Sequence, residues 1–324
     1  MIGIRMKITD SASLYDALVN GFDKLNDEGR EAEAKKKGIW RGGTSGCITA
    51  KGQVLGADPR QAVLRYLGIQ MPTDYDTQLM FDAGLTNEDS FVNLLSKSGV
   101  PFKTEEDIPM VRELSNGDKV TGRPDVVILS PDGEPTLGIE LKLICSENSA
   151  MTKALFGRET VDTKHLIQAC NYAGYFGIPW SLVYTSRMLY SVPYYAKKDA
   201  RAVEKFFTHA EHRAVRNDPK TGLPYMIRPF QSLYDITLGP DGDTFYLNGE
   251  PTIITKSGID RYYEYCAECI AKKEVPRKRS GSVDHFGKAI PKAKNKTIKY
   301  DDFKAARTGK GFDIWVEDCR KIAE

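Results

Sequence analysis

The stretch "GRPDVVILSPDGEPTLGIELKLI", residues 122–144, constrains this chain more than any other. It reads as two apolar strands folded back on each other about Asp132-Gly133. That dipeptide supplies the positive φ angles that a tight hairpin turn demands. With Asp132 and Gly133 as the loop, residue 131 faces 134, Asp125 faces Glu140 and Arg123 faces Lys142. Facing side chains in such a ladder have Cβ atoms roughly 4.5–5.5 Å apart. Pro131 and Pro135 flank the turn and leave room for a wider loop.

Two carboxylates that close, on half-buried strands, repel each other and are costly to desolvate. A divalent cation offsets both costs, and hard oxygen ligands on a stiff platform suit Mg²⁺ or Mn²⁺. Lys142 is two residues beyond Glu140, so it projects to the same face. There it is placed to hold a water or to offset charge on a phosphate. The simpler alternative is a structural salt bridge between one acid and Lys142.

The rest of the chain bounds these readings. It has 324 residues, 41% hydrophobic and 28% charged, with a net charge of +2. Those values suit one ordinary globular domain and select no partner by bulk charge. The six cysteines are scattered, unlike a secreted disulfide framework. The first residues lack the apolar core of a signal peptide, and no stretch approaches the roughly 18 apolar residues of a membrane span. A soluble, cytoplasmic protein without a membrane partner is expected.

Helices are expected over residues 11–37, 58–68, 77–99, 160–177 and 257–273. Pro59 suits a first turn, Gly68 and Gly177 suit stops, and Gly84 interrupts the third pattern. "RGGTSG" (41–46) reads as a Gly-rich break. Residues 102–114 suit an edge strand, because Pro109 cannot donate to a central ladder. Residues 180–186 and 188–195 read as strands, and 200–256 as an insertion mixing a helix with short strands. This order describes an α/β (α+β) fold, a mixed central sheet flanked by helices. The core is expected over about 77–195, followed by the insertion and a C-terminal helix with a basic segment, 257–324.

Pro124-Asp125, fourteen residues, then Glu140-Leu141-Lys142 resembles the motif of the PD-(D/E)XK nucleases. Two further pieces point to the RecB-like exonuclease branch. "HLIQACNY" (165–172) holds Gln168 and Tyr172 in its Q-x-x-x-Y spacing, and Glu88 stands where that branch places an acidic or His residue. The pieces occur in the family's order over about residues 77–195. The resemblance implies a restriction-endonuclease-like core. It implies a metal held by Glu88, Asp125, Glu140 and the Leu141 carbonyl, with Asp125, Glu140 and Lys142 catalytic. It also implies that Gln168 and Tyr172 contact the nucleic-acid strand. As residues alone, Tyr172 suits a core position equally, Glu88 a solvated helix start, and His165 a structural role.

The function so implied is metal-dependent hydrolysis of DNA, expected to be exonucleolytic, in recombination, repair or end processing. Endonucleolytic action, action on RNA, and a catalytically silent binding module of the same fold are the alternatives, beside an unrelated α/β protein with structural acids. A homo-oligomer or a recombination partner protein fits such a role. Between Lys272 and Lys299 there are ten Lys and Arg against only Glu274 and Asp284, a segment able to track a phosphate backbone. Tyr184, Tyr190, Tyr194 and Tyr195 are candidates to stack on bases. Many RecB-like nucleases carry an iron–sulfur cluster on four cysteines, one in an early Cys-Pro-Arg motif. Here that motif reads Asp58-Pro59-Arg60, and only Cys266 and Cys269 are closely spaced, with Cys319 fifty residues further on, so no cluster is expected; one on Cys47, Cys266, Cys269 and Cys319 is the alternative.

Overall fold

A computed structural model describes residues 11–68, 75–144, 161–186 and 230–272, with 215–217, 224–226, 274, 276 and 283–288. The chain opens with helix α1 (Ser11–Ala34), strand β1 (Ile39–Arg41), a 3-10 turn at Gly42–Thr44, and strands β2 (Gly46–Ile48) and β3 (Val54–Gly56). Helices α2 (Pro59–Tyr66) and α3 (Tyr75–Ser98) follow. Next come β4 (Phe102–Thr104), β5 (Met110–Glu113), β6 (Lys119–Gly122), β7 (Val126–Leu129) and β8 (Pro135–Ile144). Helix α4 (Thr163–Phe176) leads to β9 (Trp180–Ser186), and a short pair, β10 (Val215–Asn217) and β11 (Pro224–Met226), follows. Strands β12 (Phe230–Leu238), β13 (Thr244–Leu247) and β14 (Glu250–Thr255) precede helix α5 (Lys256–Lys272).

The main sheet has seven strands in the order β14-β13-β12-β9-β8-β7-β4. Strands β8 and β9 run parallel, joined by the α4 crossover, and the other neighbours are antiparallel. The fold is thus mixed α and β, as expected. Residues 230–255, expected within an insertion, instead extend this sheet through the pairing of β12 with β9. β4 and β5 are edge strands, consistent with Pro109 just before β5.

Side chains alternate across the sheet, so each face meets a different helix. Phe91, Val92 and Leu95 of α3 pack on Val126, Ile139, Leu141 and Val183. On the other face, Leu166, Ile167, Cys170 and Tyr172 of α4 pack with Val127, Trp180, Leu182 and Tyr184. This second core is wider than residues 77–195, for it also takes in Trp40, Leu55, Met110, Phe245 and Tyr262. Among the described residues no helix is long and apolar enough to cross a membrane.

Local signals set the helix ends. Asp58 and Asp162 cap α2 and α4 by accepting the Arg60 and Lys164 N–H groups at 3.0 and 2.7 Å. Gly177 ends α4 in the left-handed conformation. Gly84 does not interrupt α3, which runs through it. One glycine costs a helix only about 1 kcal/mol, and the packing of Phe91 and Leu95 exceeds that.

The "RGGTSG" segment is no loose break. Gly42, Thr44, Ser45 and Gly46 are buried beneath α4 and α5. Ser45 Oγ lies 2.6 Å from the Tyr263 hydroxyl and accepts from Asn171 Nδ2 at 3.0 Å. A side chain at Gly46 would strike the Tyr262 ring, so glycine there is a packing requirement.

Gly138 has the same role beside Glu140. A Cβ at Gly138 would lie 2.0 Å from the Trp180 ring, which is fully buried. Gly138→Ala is therefore expected to destabilise the protein by about 1–3 kcal/mol through overpacking. Urea unfolding followed by far-UV circular dichroism measures this, and an unchanged midpoint would refute the contact.

Candidate active site

The β7–β8 ladder pairs Val126 with Ile139, Val127 with Gly138 and Ile128 with Leu137. That is the register the sequence predicts, reached by another route. Ser130 N–H donates to Glu134 O at 2.8 Å, so the loop is Pro131-Asp132-Gly133, with Gly133 at φ 87°. Leu129 pairs with Pro135, which leaves Thr136 as an extra residue on β8. The longer loop shifts the register by one residue and this bulge shifts it back.

β7 begins at Val126, so the chain has left the ladder at Asp125. The Asp125 carboxylate replaces the missing backbone acceptor: its Oδ2 accepts the Leu141 N–H at 2.6 Å. Arg123 does not face Lys142. It is 67% exposed and pairs with Glu105 at 3.4 Å, because the backbone turns outward before β7 starts. The Tyr172 hydroxyl donates to the Arg123 carbonyl at 3.2 Å and fixes that turn.

Glu140 has 0% exposure. Lys142 Nζ donates to Glu140 Oε1, while Oε2 has no hydrogen-bond partner among the described residues. Burial pushes the Glu140 carboxyl up to about 8, Asp125 adds repulsion, and Lys142 opposes both. Burial also raises Asp125, against the pull of Lys142 and the Leu141 N–H. For Lys142, burial disfavours the ammonium, but the charges of Glu140 and Asp125 outweigh it and hold its pKa above the ordinary lysine value.

Glu88 projects from α3, half-buried. Burial first, then the Asp125 charge, pushes its carboxyl up to about 7. It therefore feels the pair electrostatically. Among the described residues, however, no three His, Cys, Asp or Glu side chains are gathered closely enough to hold one ion. Asp125 and Glu140 form the inner pair, and Glu88 stands back from it. The donor set still fits a small hard cation: a buried carboxylate oxygen lacks a partner, and a lysine ammonium already occupies the other.

On α4, Gln168 is half-buried, whereas Tyr172 is 2% exposed and packs against Trp180, the ring centroids 5.5 Å apart and the planes tilted by 38°. Gln168 stands one helical turn before Tyr172 on the same face. Tyr172 thus braces the strand entering Asp125 from within the core. Tyr184 is likewise buried, at 2% exposure, and is closed off from stacking on a base. Tyr190, Tyr194, Tyr195 and most of the basic segment lie outside the described residues, as does Cys319. Cys266 lies 4.0 Å from the Pro59 carbonyl, and Asp58 serves as the cap of α2.

Two neighbours of the site were absent from the expected set. Glu105 adds negative charge near Asp125 and Glu88. His165 Nδ1 lies 3.0 Å from the Tyr184 hydroxyl, and Tyr184 pairs with Lys142 across the parallel strands. The spacing of His165, Gln168 and Tyr172 along one helix face is the sequence signal for the latter.

The raised carboxyl groups give a pH signature in ion-free protein. A free glutamate titrates near 4.3. Between about pH 4.5 and 8 the folded protein therefore retains protons on Glu140 and Glu88 that the unfolded chain has released. Their stabilising effect is complete below that window and is lost as pH rises through it. In EDTA, Tm is expected to fall from pH 6 to pH 8.5 more steeply in wild type than in Glu140→Gln. Mg²⁺ should raise Tm more at pH 8.5 than at pH 6, since the ion competes with those protons. Parallel Tm curves for the two proteins would refute the assignment.

No family model matches this chain, and no curated protein matches it. Among solved structures, the crystal structure of SSO0001 is 15% identical, over 78% of this chain and 87% of its own, with a TM-score of 0.36. Likeness at that level carries no argument about this chain.

Proposed function

We propose that the chain is a metal-dependent DNA nuclease that hydrolyses phosphodiester bonds. The observation that carries this reading is Glu140: a fully buried carboxylate, one oxygen held by Lys142 and the other unpartnered, beside a second carboxylate on the same hairpin. A purely structural ion pair favours satisfying both oxygens, since an unpaired buried acceptor is costly.

Asp125 and Glu140 would hold Mg²⁺ or Mn²⁺, with the Leu141 carbonyl, and Glu88 would close on it from α3. The bound ion supplies Lewis acidity toward the phosphate and a water of lowered pKa. The Leu141 N–H keeps the Asp125 carboxylate aimed. Lys142, no longer needed to neutralise Glu140, would turn its ammonium to the attacking water or the phosphate oxygens. Gln168 and the basic residues after Lys272 are the groups proposed to hold the strand. The family resemblance favours exonucleolytic action in recombination, repair or end processing. An endonuclease uses the same hardware, and blocked 5′ and 3′ ends on single- and double-stranded DNA separate the two.

Asp125→Ala, Glu140→Ala and Lys142→Ala are each expected to lower Mg²⁺-dependent cleavage by about 10³-fold or more. A double variant should be little worse than a single one, since such groups act as a unit. Full activity in Asp125→Ala or Glu140→Ala would sink the proposal. DNA binding by wild type without cleavage in any divalent metal would favour a catalytically silent binding module.

A further inference from the structure

α4 carries one more polar side chain toward the site than the proposed reaction uses. His165 lies one helical turn before Gln168, on the face that runs on to Tyr172. Its Nδ1 is 3.0 Å from the Tyr184 hydroxyl. Tyr184 is 2% exposed, and Nδ1 is the one hydrogen-bond partner of its hydroxyl among the described residues. A buried phenol O–H needs an acceptor, so the hydroxyl donates to Nδ1. In the neutral ring the remaining proton is then on Nε2. Among the described residues nothing engages Nε2, and it is not one of the buried polar atoms lacking a partner.

Lys142 is the other side of the arrangement. It is the register partner of Tyr184 across β8 and β9, so the two side chains stand beside each other on the face that α4 covers. Burial, then the Lys142 charge, lowers the His165 pKa to about 4. The ring is thereby uncharged in neutral solution and offers a single N–H donor without adding a second cation beside Lys142.

We propose that His165 is a substrate-binding residue whose Nε2–H, oriented by the Tyr184 hydroxyl on Nδ1, donates a hydrogen bond to a phosphate oxygen of the DNA strand next to the cleaved bond. This deepens the nuclease reading and rests on it. The recognised group is a phosphodiester oxygen, an acceptor common to every nucleotide, so the contact is indifferent to base sequence.

The test uses three substitutions in the full chain. Glutamine carries its amide N–H near the Nε2 position, asparagine near the Nδ1 position, and alanine neither. Binding of a fluorescent single-stranded oligonucleotide in Ca²⁺ and cleavage in Mg²⁺ are measured for each, with Tm as the control for folding. His165→Ala is expected to weaken binding and kcat/KM by about 10- to 100-fold, the value of one hydrogen bond to a charged acceptor. His165→Gln should recover most of that loss and His165→Asn little. The pH profile between 6 and 9 should keep its shape in all three. Recovery by asparagine rather than glutamine would mean that His165 only supports Tyr184 and would overturn the proposal. So would wild-type binding in His165→Ala, or the loss of an ionisation from its pH profile. Absence of cleavage in wild type refutes the nuclease reading instead, and the binding comparison then still decides for or against the His165 contact.

Discussion

A carboxylate removed from water, Glu140, governs its surroundings. Burying an unpaired charge is unfavourable by several kcal/mol, so its neighbours must lower that penalty. Lys142 does so on one oxygen, and protonation or an ion serves the other. The same burial makes Asp125 a difficult neighbour, and the Leu141 N–H partly relieves it. Gly138, two residues earlier on the same face, leaves room for the buried Trp180 ring. The sheet is thus stiff and dry where the charges are, and that setting strengthens every electrostatic interaction within it.

The hairpin was legible because its information is local. An Asp-Gly turn between two period-two runs fixes which acids share a face, and Val126 opposite Ile139 has the register so expected. The loop itself was not legible: three residues plus a bulge leave the same register as two residues alone. Arg123 shows where such reasoning ends. Counting along an ideal ladder set it against Lys142, yet the ladder stops at Val126, because Tyr172 holds the Arg123 carbonyl from a helix far along the chain. The buried "RGGTSG" segment was misread for a similar reason. Glycines look like a break in sequence, and only the rings of Tyr262 and Tyr263 reveal them as room for close packing. His165 was noticed but unassigned, since its meaning depends on Tyr184, which only the parallel pairing brings beside Lys142.

The helices divide the work around the sheet. α3 contributes an apolar stripe and, one turn earlier, Glu88, so the same helix both covers the sheet and leans a carboxylate toward the pair. α4 covers the opposite face and presents His165, Gln168 and Tyr172 in succession. Of these, Tyr172 is buried at 2% exposure, so it offers no exposed ring for the strand contact the resemblance implies there. The N-terminal strands and α5 lie behind α4 and share its core, joined through Ser45, Asn171 and Tyr263.

Because β8 and β9 run parallel, the hairpin by itself does not complete the site. The hairpin that brings Asp125 to Leu141 closes over a short loop, and such local pairings form quickly. β9 reaches the hairpin only through the crossover, and β12 to β14 join the sheet through β9. The hairpin alone would leave both carboxylates in water, without the desolvation that raises them in the fold. Docking of α4 and β9 removes that water, turning two unremarkable acids into a buried pair.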